Sequence, residues 1–77
     1  MALQISVAPS GDGWAVRSAE LNEVLSFERG GRAEAVARDL ASRASAAGRP
    51  AEVAIFLRDG SLAGRIAYPA ATGAQAS

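Results

Sequence analysis

The chain is 77 residues long and 49% hydrophobic, and its eight basic and eight acidic side chains cancel. A chain of this length forms one small domain that buries about 60% of its unfolded surface, and it is too apolar to be a disordered segment. It contains no cysteine and no histidine, so disulfides, thiolate nucleophiles, the usual general base and the commonest metal ligands are all excluded.

Leu3, Ile5 and Val7 alternate with Gln4 and Ser6, the period of a half-buried strand. Pro9 to Gly13 is a cluster of turn formers. Trp14 to Ser18 reads as a second strand, with Trp14 and Val16 on one face and Ala15 and Arg17 on the other. A turn is expected at Glu20–Asn22, followed by a third strand from Val24 to Glu28 with Leu25 and Phe27 on one face.

Arg32 to Ala47 is the one long helix. Its alanine, leucine, arginine and glutamate are good helix formers. Ala33, Val36, Ala37, Leu40, Ala44 and Ala47 fall on one face at three- and four-residue spacing. Glu34 with Arg38, and Asp39 with Arg43, form acid-first pairs one turn apart, each worth roughly 0.2–0.5 kcal/mol when exposed. Gly30-Gly31 is a permissive entry without a strong cap. Gly48 suits the left-handed position past a helix end, and Pro50 blocks continuation.

Glu52 to Arg58 is a strand of high β-propensity, with Val53, Ile55 and Leu57 on one side and Ala54, Phe56 and Arg58 on the other. Asp59-Gly60 is the strongest short hairpin signal, because both residues tolerate positive φ. Ser61 to Tyr68 returns as the last strand, and Pro69 ends it.

The order β-β-β-α-β-β with short connections predicts an α+β fold: a single antiparallel sheet with one helix packed on one face. Residues 1–69 form the domain and 70–77 a flexible C-terminal tail. The expected core is Leu3, Ile5, Val7, Trp14, Val16, Leu25, Phe27, Val36, Leu40, Val53, Ile55, Leu57 and Ile66, with Leu40 buried near Trp14.

The tryptophan strand Gly13-Trp14-Ala15-Val16-Arg17, Phe27 before the helix, Glu34-Ala35 near its start and the closing Arg58-Asp59-Gly60-Ser61-Leu62 hairpin ending at Tyr68 recur in one order. In these the chain resembles the bacterial domain-of-unknown-function family 2188 over nearly its whole length. The resemblance implies a β-rich α+β fold and carries no catalytic residues. A fainter likeness, resting on element order and the Glu34-Ala35 helix start, is to HicB-type antitoxin domains.

No catalytic constellation can be assembled. Ser26 or Ser61 would lack a base, and Gly30-Gly31 is not followed by the residues of a phosphate loop. No catalytic residue, metal or cofactor is therefore expected, and the chain reads as non-enzymatic. No apolar run spans a membrane, and Met1-Ala2-Leu3 leads into a strand pattern rather than a signal peptide, so a cytoplasmic location is expected.

The candidate surface is the sheet face opposite the helix, carrying Arg17, Phe56, Arg58 and Arg65 with Ala15, Ala54, Ala63 and Ala67 between them. Val53, Ile55 and Leu57 are the better core set, so Phe56 should point away from the helix and be covered at least in part by a second chain. Self-association as a homodimer, or binding of another protein, is the expected function. The alternative is single-stranded nucleic acid, stacked on Phe56 with arginines on its phosphates, which the neutral total charge disfavours.

Overall fold

The computed structural model describes residues 2–18 and 24–71. Strands β1 (Leu3–Ser10), β2 (Gly13–Ser18) and β3 (Leu25–Phe27) precede helix α1 (Gly30–Ala46), and β4 (Ala51–Phe56) and β5 (Leu62–Tyr68) follow it. The expected turn at Glu20–Asn22 lies outside the described residues.

All five strands form one sheet in the order β3-β2-β1-β4-β5, with α1 on one face. The α+β class and the single covering helix agree with the expectation, but the sheet is mixed rather than antiparallel. The β1–β2, β2–β3 and β4–β5 pairs are antiparallel, and β1 pairs with β4 in parallel from Leu3↔Ala51 to Val7↔Ile55. The cause is the helix. Parallel neighbours need a crossover of a dozen or more residues, and the 17-residue α1 supplies one. It carries the chain back from the β3 edge, over β2 and β1, so that β4 starts beside the start of β1. This pairing places the apolar strands β1 and β4 side by side, with Ile5 next to Val53.

The helix rests on the sheet through alanine. Ala33, Ala37, Ala41 and Ala44 are its buried residues, and they meet Ile5, Val7, Val16, Ala51 and Val53. Each of the larger aliphatics so buried contributes about 1.5–3 kcal/mol relative to exposure. The helical face is turned slightly from the expected one: Ala41 joins it, Val36 and Leu40 are half-buried, and Ala47 is exposed. Leu40 is not near Trp14. It borders Leu3, Ile5 and Ser18, whereas Trp14 lies at the opposite end of α1, where a Cβ on Gly30 would stand 2.9 Å from its Cε2. Ten residues of helix separate the two positions by about 15 Å.

Both helix ends follow from local chemistry. Arg29 occupies the N-cap with extended backbone and no side-chain cap. At the other end Gly48 takes φ 86°, Arg49 N–H donates to Ala44 O (2.9 Å) and Gly48 N–H to Ser45 O (3.0 Å), the paired bonds of a Schellman motif. The two acid-first ion pairs form, Arg38–Glu34 at 2.7 Å and Arg43–Asp39 at 3.0 Å. Beyond β5, Ser45 Oγ donates to Pro69 O (2.6 Å) and Ala71 N–H to Ser45 O (2.9 Å), so the chain is tied to the helix end as far as Ala71.

The β4–β5 turn is one residue longer than the Asp59-Gly60 signal implies. Gly60 N–H donates to Leu57 O (2.8 Å) and Leu57 N–H to Ser61 O (2.7 Å). Arg58 and Asp59 are thus the central turn residues, and of the two expected positive-φ residues only Gly60 has one, at 90°. This is a three-residue connection closed by a left-handed glycine. Asp59 Oδ1 accepts from Ser61 Oγ (2.6 Å) and Ser61 N–H (2.9 Å), and these bonds, the hydroxyl's first, hold its carboxyl below the usual aspartate range. Leu57, expected in the core, is 50% exposed, because the turn lifts it off the sheet where β4 ends at Phe56.

Gly60→Val should cost about 1 kcal/mol or more, since a β-branched residue resists positive φ; urea denaturation measures the loss. In the same assay Ala37→Leu should cost about 1–3 kcal/mol by overfilling the alanine seam, whereas half-buried Leu40→Ala should cost less than the roughly 2–5 kcal/mol of a fully buried leucine.

Candidate interaction surface

With one helix on one face, the other face of the sheet is bare among the described residues, and strand register fixes its rows. Arg17↔Ser6↔Ala54↔Arg65 form one row from β2 to β5. Gln4, Glu52 and Ala67 form the row on one side. Continuing the parallel register by one residue, Ser26, Ala15, Ala8, Phe56 and Leu62 form the row on the other side. Phe56 therefore does point away from the helix, and it is half-buried. Ala15, Ala8 and Ala54 surround it with small side chains, and Ala15 is 2% exposed despite facing away from α1.

Three of the four expected residues share this face. Arg17 and Arg65 are exposed and stand three strand spacings apart, about 14 Å between Cα atoms. Neither forms an ion pair among the described residues. Arg58 is engaged elsewhere. Its Nη1 donates to Gly13 O (2.7 Å) and its Cζ lies 5.2 Å from the centroid of the Trp14 ring, a cation–π contact. Turn geometry causes the difference: with Arg58 in the β4–β5 turn, strand alternation no longer governs its side chain, which reaches to the β1–β2 hairpin. Ala63 also departs from the pattern. The register slips between Ile55 and Phe56, so that Ile55 opposes Gly64 while Phe56 opposes Leu62 and Ala63 is the extra residue.

The sequence reading missed two exposed leucines. Leu57 is 50% exposed and Leu62 is 45% exposed, and they flank the same hairpin beside Phe56. Their position against the Asp59-Gly60 signal was the available clue, because residues bordering a hairpin turn have few neighbours to cover them. Phe56 and Leu62, paired across the hairpin, thus form an apolar end to a face whose charges among the described residues include Arg17, Arg65 and Glu52, while Leu57, next to Phe56 in the chain, is exposed at the turn itself.

A second, shallow depression beside Trp14 is bordered by Asp12, Gly13, Ser26, Phe27 and Glu28. Its two carboxylates have no third acidic partner, and no group of three acidic side chains able to hold a metal occurs among the described residues. No helix among those residues is long and apolar enough to cross a membrane. No protein-family model matches the chain, and no curated protein or solved structure matches it.

Arg58→Ala should lower stability by about 1 kcal/mol, combining loss of an exposed cation–π contact with loss of a hydrogen bond. Denaturation followed by the fluorescence of Trp14, the one tryptophan, checks both the loss and a changed native emission.

Proposed function

We propose that this chain is a cytoplasmic, non-enzymatic association module whose open sheet face docks a protein surface, either a second copy or another protein. The observation that carries this reading is the apolar pair on the uncovered face at the β4–β5 hairpin, half-buried Phe56 beside Leu62, which is 45% exposed. A lone exposed leucine means little, but one paired with an aromatic ring and bordered by small residues forms a patch that a partner can approach closely. Five strands about 4.8 Å apart and about six residues long present a flat area of roughly 500 Å². Two such areas reach the roughly 1,000 Å² of a modest specific interface. Arg17, Arg65 and Glu52 then supply a polar rim. The absence of histidine and cysteine supports the non-enzymatic part of the reading.

Nucleic-acid binding draws on Arg17 and Arg65 alone. Arg58, the third arginine of that reading, is occupied by Gly13 and Trp14, and Glu52 lies on the same face. Phosphate tracks need an excess of cations, and this face has little.

Photo-crosslinking decides between the readings. With p-benzoylphenylalanine in place of Phe56, irradiation in cells should yield a protein adduct that persists at high salt, and the same probe in place of exposed Ser42 on the helix should not. A nuclease-sensitive adduct would establish the nucleic-acid reading instead, and the absence of any adduct would mean a solvated face and end the proposal.

A further inference from the structure

The two edges of the sheet differ. At one side β3 has three residues, too short to template another strand. At the other side β5 has seven residues and, among the described residues, pairs only with β4. Native edges are commonly blunted by lysine, proline, bulges or a covering segment. The bulge at Ala63 and Pro69 stand at the two ends of Gly64 to Tyr68, a regular run whose one charged side chain is Arg65 and which no segment covers among the described residues. On the helix side, Ile66 and Tyr68 are only half-buried, because α1 lies over the central strands.

We propose that this edge pairs, antiparallel about a two-fold axis normal to the sheet, with β5 of a second copy. Such an axis keeps helix sides together, so opposed residues must come from the same face. Two considerations choose the register. Centring on Ile66 is the one arrangement that uses all five regular residues, with Ile66 opposite Ile66 of the second copy, Gly64 opposite Tyr68, and Arg65 opposite Ala67. Centring on Arg65 instead would set two guanidinium groups directly opposite each other, which is destabilising.

The chosen register also satisfies charges that have no ion pair among the described residues. Glu52 lies beside Ala67 in the sheet, and Ala67 would lie beside Arg65 of the second copy. Glu52 and that Arg65 then stand two strand spacings apart, about 10 Å between Cα atoms, across a single methyl group. Both side chains are long enough to meet over it, and the contact occurs twice by symmetry. On the helix side, Ile66 gains an apolar neighbour, and each Tyr68 ring covers the strand at Gly64. The product is a ten-stranded sheet with both helices on one side and both Phe56 faces open on the other.

This pairing is independent of the docking proposed for the open face. The chain has no native cysteine, so introduced thiols report the register directly. Opposed antiparallel residues have Cα atoms about 4.5–5.5 Å apart, within the 4.4–6.8 Å range of a disulfide, whereas diagonal ones do not. Arg65→Cys and Ala67→Cys replace exposed side chains, so both variants should fold. Mixed and oxidised, they should form the 65–67 heterodimer severalfold faster than either forms a homodimer. Ile66→Cys should form a homodimer by itself. Adding Phe56→Glu should leave these rates unchanged, and Glu52→Arg should slow them. Mixed cysteines that couple no faster than a Ser42→Cys control, or native protein that sediments as a monomer at millimolar concentration, would overturn the pairing while leaving the photo-crosslink at residue 56 as a separate test.

Discussion

The structure depends on the seam where the alanines of α1 meet the β-branched side chains of β1, β2 and β4. Ala33, Ala37 and Ala41 are fully buried against Ile5, Val7, Val16 and Val53. Small residues on the helix and branched ones on the sheet let the two layers approach closely, and close approach maximises dispersion contact in a domain with few large side chains. A single helix has one such seam. Among the described residues it covers the middle of the sheet and leaves the β5 edge half-covered and the far face bare. The surfaces proposed for partners are thus what one helix cannot reach.

Topology follows from the same seam. To lie across β1 and β2, the helix must leave from the β3 edge and return beside β1, which makes β4 parallel to β1. A return to the far side of β3 would have separated the two apolar strands that now form the centre. Burial of Ile5, Val7 and Val53 in one cluster is the reward for the longer connection. The hairpins at the two ends are then brought together, and Arg58 of one reaches Gly13 and Trp14 of the other.

The open face and the open edge differ in kind. The face offers side chains: an aromatic ring, a leucine and a sparse rim of charge. Its specificity lies in shape. The edge offers backbone, and its specificity lies in register, set by the spacing of Arg65, Ala67 and Glu52. Paired edges in this geometry leave the faces unobstructed, so the two kinds of association are compatible within one assembly.

Much was determined by the sequence alone. Strand alternation placed Leu3, Ile5, Val7 and Val53 inside and Phe56 outside, helical spacing located α1 to within two residues, and Gly48 marked its end. These are local consequences of period and backbone preference, which act over a few neighbours. What only the tertiary structure decided was non-local. The parallel β1–β4 pairing depends on where the helix lands. The small rotation that buries Ala41 and leaves Leu40 half-exposed depends on the relief of the sheet beneath it. The exposure of Leu57 and the diversion of Arg58 depend on a turn that begins one residue earlier than its glycine signal, since a type I turn closed by a left-handed glycine and a two-residue turn share the same Asp-Gly sequence. Period alone cannot separate those two, because the choice rests on which register lets Ile55 and Phe56 pair with the returning strand.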